Sequence, residues 1–153
     1  ALYGTGAANE PLGLHNTAGI GSEAITANNP TFAQVVNMES DVASANALMG
    51  NLAYITGATI RGAMKVRTKD SGSGQFLWGG DNTVNGYPAY MSNQVEAGDI
   101  WFGNWSDCII GYWSSSDLLV DPYTHSTSGT IRITALQDVD VAFRHAASYS
   151  LGA

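Results

Sequence analysis

Three histidines, His15, His125 and His145, and one cysteine, Cys108, are the residues of this chain best suited to metal binding or nucleophilic chemistry. Imidazole and thiolate do that work only when partners stand within hydrogen-bond or ligand distance of them. No two histidines fall at ligand spacing, and the sequence holds no His-Glu-X-X-His. A lone cysteine gives neither a disulfide framework nor a thiolate site, and inside its apolar run it reads as a small hydrophobe. Triads are not contiguous in sequence, so a Ser/His hydrolase stays an alternative, although no Gly-X-Ser-X-Gly elbow occurs. Gly4-Thr5-Gly6 lacks the third glycine of a dinucleotide loop, and there is no Gly-Lys-Ser/Thr for a phosphate. Trp78 with Asp81 and Asn82, and Trp101 with Asn104, pair a ring with amide or carboxylate groups. Such sets can stack on and hydrogen-bond a sugar, which makes a carbohydrate-binding module a second alternative; the same residues also read as core anchors and turn formers. No cofactor and no metal ligand set is read from the sequence.

Charge narrows the partners. Thirteen acidic and six basic residues give a net charge of -7 over 153 residues, which argues against a chain that neutralises nucleic-acid phosphates. Charged residues make up 12% of the chain, about half the usual ~25%. A surface built from Gly, Ser, Thr, Asn and aromatic groups suits broad contact with other protein, because little charge must be desolvated; a Ser/Thr/Asn-rich soluble protein would have the same composition. Four of the six cations cluster as Arg61, Lys65, Arg67 and Lys69. On a helix Arg61, Lys65 and Lys69 form one stripe, either a solvated face or a basic edge meeting an acidic edge of a neighbouring copy. No run approaches the ~20 apolar residues of a membrane span.

The elements that must carry these residues centre on residues 99–123, which hold Trp101, Trp105 and Trp113. Cys108-Ile109-Ile110-Gly111-Tyr112-Trp113 and Asp117-Leu118-Leu119-Val120 flank Ser114-Ser115-Ser116, a strand-turn-strand pattern expected to form the seam of the core. Upstream, Pro11 and the glycines predict a structured loop leading to a short strand at residues 12–15. Asn29 or Thr31 caps a helix at about 32–49 that carries Phe32, Val35, Val36, Val42 and Leu48 on one side and is ended by Gly50. Residues 52–56 read as a buried strand. A second helix follows with Ile60 and Met64 inward and ends near Lys69. Ser71, Gly72, Ser73 and Gly74 form one exposed tip, and Gly79, Gly80, Asp81, Asn82 and Thr83 another. Asn85-Gly86 makes a tight turn into extended chain at Tyr87. Residues 129–134 and 139–143 alternate in period two, as half-exposed strands do. Central helices with strands around them give α+β.

Taken in order, these pieces resemble the C-terminal part of the major capsid proteins of tailed phages, which have the Hong-Kong-97-type fold. Gly4-Thr5-Gly6 with Pro11-Leu12-Gly13 is similar to that family's Gly-Thr-Gly and Pro-Leu-Gly segment. Gly86-Tyr87-Pro88 is similar to its turn before an extended strand, and residues 99–105 to its apolar-Phe-Gly-Asp/Asn stretch. Val120-Asp121-Pro122-Tyr123 and Asp138-Val139-Asp140-Val141 are similar to its closing strands. The resemblance implies an axial domain at residues 26–113 and part of a peripheral domain at 1–25 and 114–153. It implies that the N-terminal arm, extended loop and spine helix lie upstream, the chain being a C-terminal portion. The implied function is that of a structural, non-enzymatic subunit of a phage or prophage capsid. It would assemble with copies of itself into pentamers and hexamers in the bacterial host cytoplasm, with scaffold or decoration proteins as further partners. A cellular encapsulin-like nanocompartment shell is the alternative within the same fold. The family's Lys-Asn cross-link is not carried over, since residues 129–136 offer no Asn. Expected subunit contacts are Arg61, Lys65 and Lys69 with the two tips.

Overall fold

The computed structural model describes residues 2–153, except the side chain of Ser126. In chain order the elements are β1 (Gly21–Glu23), α1 (Phe32–Ser44), β2 (Leu52–Thr56), α2 (Ala58–Val66), β3 (Thr83–Val84), β4 (Tyr87–Met91), β5 (Ile100–Asn104), β6 (Cys108–Tyr112), β7 (Asp117–Asp121), β8 (Arg132–Leu136), β9 (Val139–Phe143) and β10 (Tyr149–Gly152). Six strands form one mixed sheet in the order β1-β10-β5-β2-β4-β3. The class is α+β, as the sequence predicts.

β5 is the axis of that sheet. Its Ile-Trp-Phe-Gly-Asn run is buried at every position, and it pairs antiparallel with β2 on one side and β10 on the other. Period-two alternation sends Ile100 and Phe102 to one face and Trp101 to the opposite face. On the first face α1 supplies Val35, Met38 and Val42, and α2 supplies Ile60 and Met64. The second face is covered by the N-terminal segment, through Leu2, Tyr3, Leu14 and Ile20, together with Tyr149 and Leu151 of β10. Gly103 lets β10 lie this close, since a Cβ there would stand 2.6 Å from the carbonyl oxygen of Ser148. The sheet thus takes strands from both sides of residues 26–113, because β1 runs parallel to β10 in register Gly21 with Ser150.

Local chemistry fixes the helices. The Thr31 hydroxyl accepts from Gln34 N while the Gln34 side chain accepts from Thr31 N, a capping box that starts α1 at Phe32. The helix stops at Ser44, short of the expected residue 49. Asn46 takes the left-handed conformation, φ 55°, and Ala47 N reaches back to Val42 O, closing the last turn before Gly50. α2 likewise stops at Val66, because Arg67 is extended and the chain enters a narrow hairpin in which Lys69 N donates to Gln75 O. Lys69 therefore stands outside the helix, and the expected stripe of Arg61, Lys65 and Lys69 is broken at its last member. The short strand expected at 12–15 is instead a bridge at Leu12 followed by a 3-10 turn, Leu14–Asn16.

The largest departure lies at residues 108–143. β6 and β7 do not pair with each other across Ser114-Ser115-Ser116; β6 pairs with β9 and β7 with β8. The three serines are a bend in one arm of a long two-stranded ribbon, not a hairpin turn. Nor are these runs the seam of the core. Leu118 is 69% exposed, Leu119 62% and Ile133 66%, so neighbours pointing to opposite faces are equally uncovered. Only the 99–104 part of the expected seam is buried. Stability should divide accordingly. Phe102→Ala is expected to cost about 3–5 kcal/mol and Leu119→Ala no more than about 0.5 kcal/mol in denaturant unfolding. Comparable losses at the two sites would contradict the assignment of core and ribbon.

Candidate functional site

Among the described residues, serine, histidine and aspartate side chains meet at the base of the ribbon. Asn104 ends β5 and accepts from Asn51 N and Ser106 N at 3.1 Å, while its Nδ2 donates to Asp107 Oδ2 at 3.1 Å. Ser148 Oγ donates to the same Asp107 oxygen at 2.8 Å and lies 2.9 Å from His145 Nδ1. Arg144 N donates to Asp107 O, joining the two arms where they leave the sheet. The order is wrong for acyl transfer. A nucleophilic serine needs histidine between itself and the carboxylate, whereas Ser148 is buried and stands between His145 and Asp107. The cluster clamps the ribbon to the sheet. The other two histidines lie elsewhere, His15 beside the Tyr3 and Trp101 rings and His125 at the ribbon tip. Among the described residues no three His, Cys, Asp or Glu side chains come together as a metal site would require. Cys108 is half-buried, and burial pushes its thiol pKa up. The Tyr149 hydroxyl is buried there without a partner among the described residues, and desolvation raises its pKa.

The rings expected to hold a sugar are engaged. Trp78 is buried, its Nε1 donates to Asn82 Oδ1 at 3.2 Å, and the Arg61 guanidinium stands 5.4 Å from its ring centre. Trp101 is fully buried with its Nε1 toward the Tyr3 hydroxyl, 3.3 Å away. Trp101 has no exposed face, and Trp78, although it lines the cleft that holds Arg61, is only 4% exposed, so neither ring is open to stack on a sugar. Among the described residues the exposed aromatics are Tyr112, Trp113 and Tyr123 on the ribbon, Tyr90 on β4 and Phe76 before β3.

The expected contact residues fall into two groups. Lys69 sits at the root of the tip formed by Ser71, Gly72, Ser73 and Gly74, with its ammonium 5.6 Å from the Phe32 ring centre. Asp70 shapes that tip by accepting from Ser71 N at 2.7 Å. Arg61, by contrast, shares a cleft of about 440 Å³ with Asp81, Asn82 and Thr83 of the second tip, and with Tyr90 and Met91. Gly79 N to Thr83 O closes this turn, Gly80 being its open member. The Thr83 hydroxyl donates to Asp81 Oδ1 and, as the largest cause, holds that carboxyl below its usual range. Lys65 is exposed on α2, and Arg67 is tied by its guanidinium to Asn29 O at 2.8 Å. Sequence reasoning missed Tyr90 and Met91. Their apolar side chains on a strand beside a polar turn were the available signal.

Comparison with known proteins follows the same outline. The phage capsid family matches residues 1–152. The major capsid protein of Halomonas phage phiHAP-1 is 40% identical over 151 residues, covering 98% of this chain and 25% of that protein. Among solved structures the chain is similar to the capsid of an empty GTA particle, at 20% identity and TM-score 0.65 over 95% of this chain and 55% of that one. It is similar to the virus-like particle from Pyrococcus furiosus, at 8% identity and TM-score 0.66 over 92% and 58%, respectively. A Mycobacterium phage Che8 chain gives 13% identity and TM-score 0.63 over 86% and 53%. At these identities the structural likeness establishes the fold alone, the Hong-Kong-97-like one. The chain spans a quarter of the curated relative and about half of each structural neighbour.

One ionisable group in this region gives a direct readout. Tyr3 Oη donates to Asp99 Oδ2 at 2.7 Å and accepts from Glu96 N at 3.0 Å, pinning the N-terminal segment over Trp101. Burial is the largest cause that pushes the phenol from 10.0 up to about 12. The folded state favours the neutral phenol, so its contribution to stability is full below pH 10 and is lost as pH rises from 10 through about 12. Wild-type protein should lose stability more steeply than Tyr3→Phe across that window, as measured by denaturant midpoints at a series of pH values. Parallel curves would contradict the assignment.

Proposed function

The chain belongs to the phage capsid family, and from that premise we propose that it supplies the sheet domain and ribbon of a capsid subunit. That subunit would close rings of five and six copies through head-to-tail contacts. Its place is the virion capsid, its assembly takes place in the bacterial host cytoplasm, and its role is structural with no reaction of its own. The observation that carries the reading is the ribbon. Two paired strands alone are marginal in water, and this pair is apolar on both faces with Leu118, Leu119, Val120, Ile131 and Ile133 uncovered. An apolar surface of that extent calls for a partner. In a shell, other subunits and the remainder of the subunit would supply it.

Within this reading residues 108–143 are the peripheral element, and the axial element is the six-stranded sheet with its covering helices and N-terminal segment. The boundary then lies at the Asp107–Ser148 clamp, not at residues 26 and 113. Scaffold or decoration proteins would be additional partners. A nanocompartment shell is compatible with the fold, as the likeness to the Pyrococcus furiosus particle illustrates. The 40% identity to a phage major capsid protein favours the phage reading.

Light scattering with negative-stain imaging of the full-length protein tests the proposal. Rings or shells are expected, and a monomer at every concentration would overturn it. Within assembling protein, Leu118→Asp with Leu119→Asp should abolish shells while leaving the unfolding midpoint of the sheet nearly unchanged. Lys65→Glu with Lys69→Glu should weaken assembly only modestly, because exposed charges contribute about 0.2–1 kcal/mol each. Full loss of capsomers in that second variant would show that the two lysines are not peripheral to the contact.

A further inference from the structure

The cleft that holds Arg61 lies at the β3–β4 end of the sheet, and β1 lies at the opposite end. Arg61 is unusual among the clustered cations. Arg67 spends its guanidinium on Asn29 O, whereas Arg61 makes no hydrogen bond to another described residue and is instead set over the Trp78 ring. The cation–π contact places the guanidinium over the ring and leaves its N–H donors without a partner among the described residues, so the fork can take a carboxylate through two parallel bonds. Asp81, the other charge on the lining, is held on its turn by the Thr83 hydroxyl at 2.7 Å. Tyr90 and Met91, exposed at 59% and 43%, form an apolar rim beside the guanidinium. Tyr, Met and Arg are the side chains enriched where protein surfaces meet, and a rim of this kind keeps water from a central polar pair.

A chain of net charge -7 offers carboxylates in excess, and topology selects among them. At the β1 end, Asp41 is taken by Ser150 Oγ at 3.0 Å. Glu39, on the same helix, is taken by Asn85 and Tyr87 near the β3–β4 end. The carboxylate of Glu23, the last residue of edge strand β1, accepts from Asn37 Nδ2 at 3.2 Å, whereas that of Asp41 is turned to the buried Ser150. We propose that the cleft is an intersubunit socket in which Arg61 of one copy binds Glu23 of the next. Opposite ends of the sheet then meet head to tail around a ring. Two different patches on opposite ends of one domain are what a heterologous, closing contact requires. This inference rests on the capsomer reading above and names the contact that would close the ring.

The test is a charge swap in the full-length protein, read by light scattering at matched concentration, with circular-dichroism melting as the check on folding. Arg61→Glu and Glu23→Arg should each melt like wild type and lower the ring yield by about tenfold or more, the scale of a desolvated charge pair left unmatched. The double variant should recover most of that yield. Arg61→Lys, which keeps the charge without the fork, should give an intermediate loss. Wild-type rings together with normal rings from Arg61→Glu would overturn the socket and leave the capsid reading standing. Loss in both single variants without recovery in the double variant would overturn the pairing and assign the cleft to another segment or an accessory protein. A wild-type protein that forms no rings would remove the capsid reading and the socket with it.

Discussion

β5 pairs on both edges and is buried on both faces, and the rest of the molecule is arranged to permit that. A strand with Phe102 under two helices and Trp101 under an N-terminal segment has no solvent side. Each neighbouring element is therefore fixed by what it must cover. β2 brings Tyr54 beside Phe102, their ring centres 4.4 Å apart, and β10 can close the other edge only because Gly103 has no side chain. The polar end of the same strand, Asn104, is where burial stops. There the side-chain amide holds the chain turning into β2 and, through Asp107, the root of the ribbon. One five-residue run sets both the core and the point from which the ribbon departs.

The ribbon follows an opposite logic. Its arms have the period-two composition of a half-buried strand, with Val139, Val141 and Phe143 alternating against Asp138, Asp140 and Ala142, yet the fold gives them nothing to be half-buried against. Only near the clamp does burial resume, where Phe143 meets Tyr149 with ring centres 5.5 Å apart. Composition suited to a covered surface combined with geometry that leaves it bare within this chain is what the proposed cover, from the remainder of the subunit and from other subunits, would account for. Low overall charge fits the same account, since surfaces that will be buried on assembly carry few groups that are costly to desolvate.

Much of the sheet domain was legible from local signals. The capping residues around Thr31, the β-branched and aromatic run at residues 52–56 and the Asn85-Gly86 turn each act within a few residues. Asn85 and Gly86 indeed both take positive φ, as a two-residue hairpin turn demands. What failed was long-range. Cys108 and Asp117 begin apolar runs that look like partners across three serines, but their true partners lie up to 35 residues away at Phe143 and 19 away at Leu136. Apolar content announces burial without saying whether the cover comes from the same chain. β10 escaped notice because Tyr-Ser-Leu-Gly has weak strand character and becomes a strand only by pairing between β1 and β5. At the candidate site the individual residues Arg61 and Asp81 could be named, while the cleft joining them to Tyr90 and Met91 depended on tertiary placement. The resemblance of ordered motifs to tailed-phage capsid proteins carried the family, which residue chemistry alone would not have reached.

Amide hydrogen exchange on the 153-residue chain by itself and on the full-length protein in shells tests the central claim that the ribbon is completed from outside this chain. Amides of Asp117–Asp121 and Arg132–Leu136 should exchange fast in the 153-residue chain and slowly in shells, while those of Ile100–Asn104 stay protected in both. Equal protection of the ribbon in the two states would contradict the account.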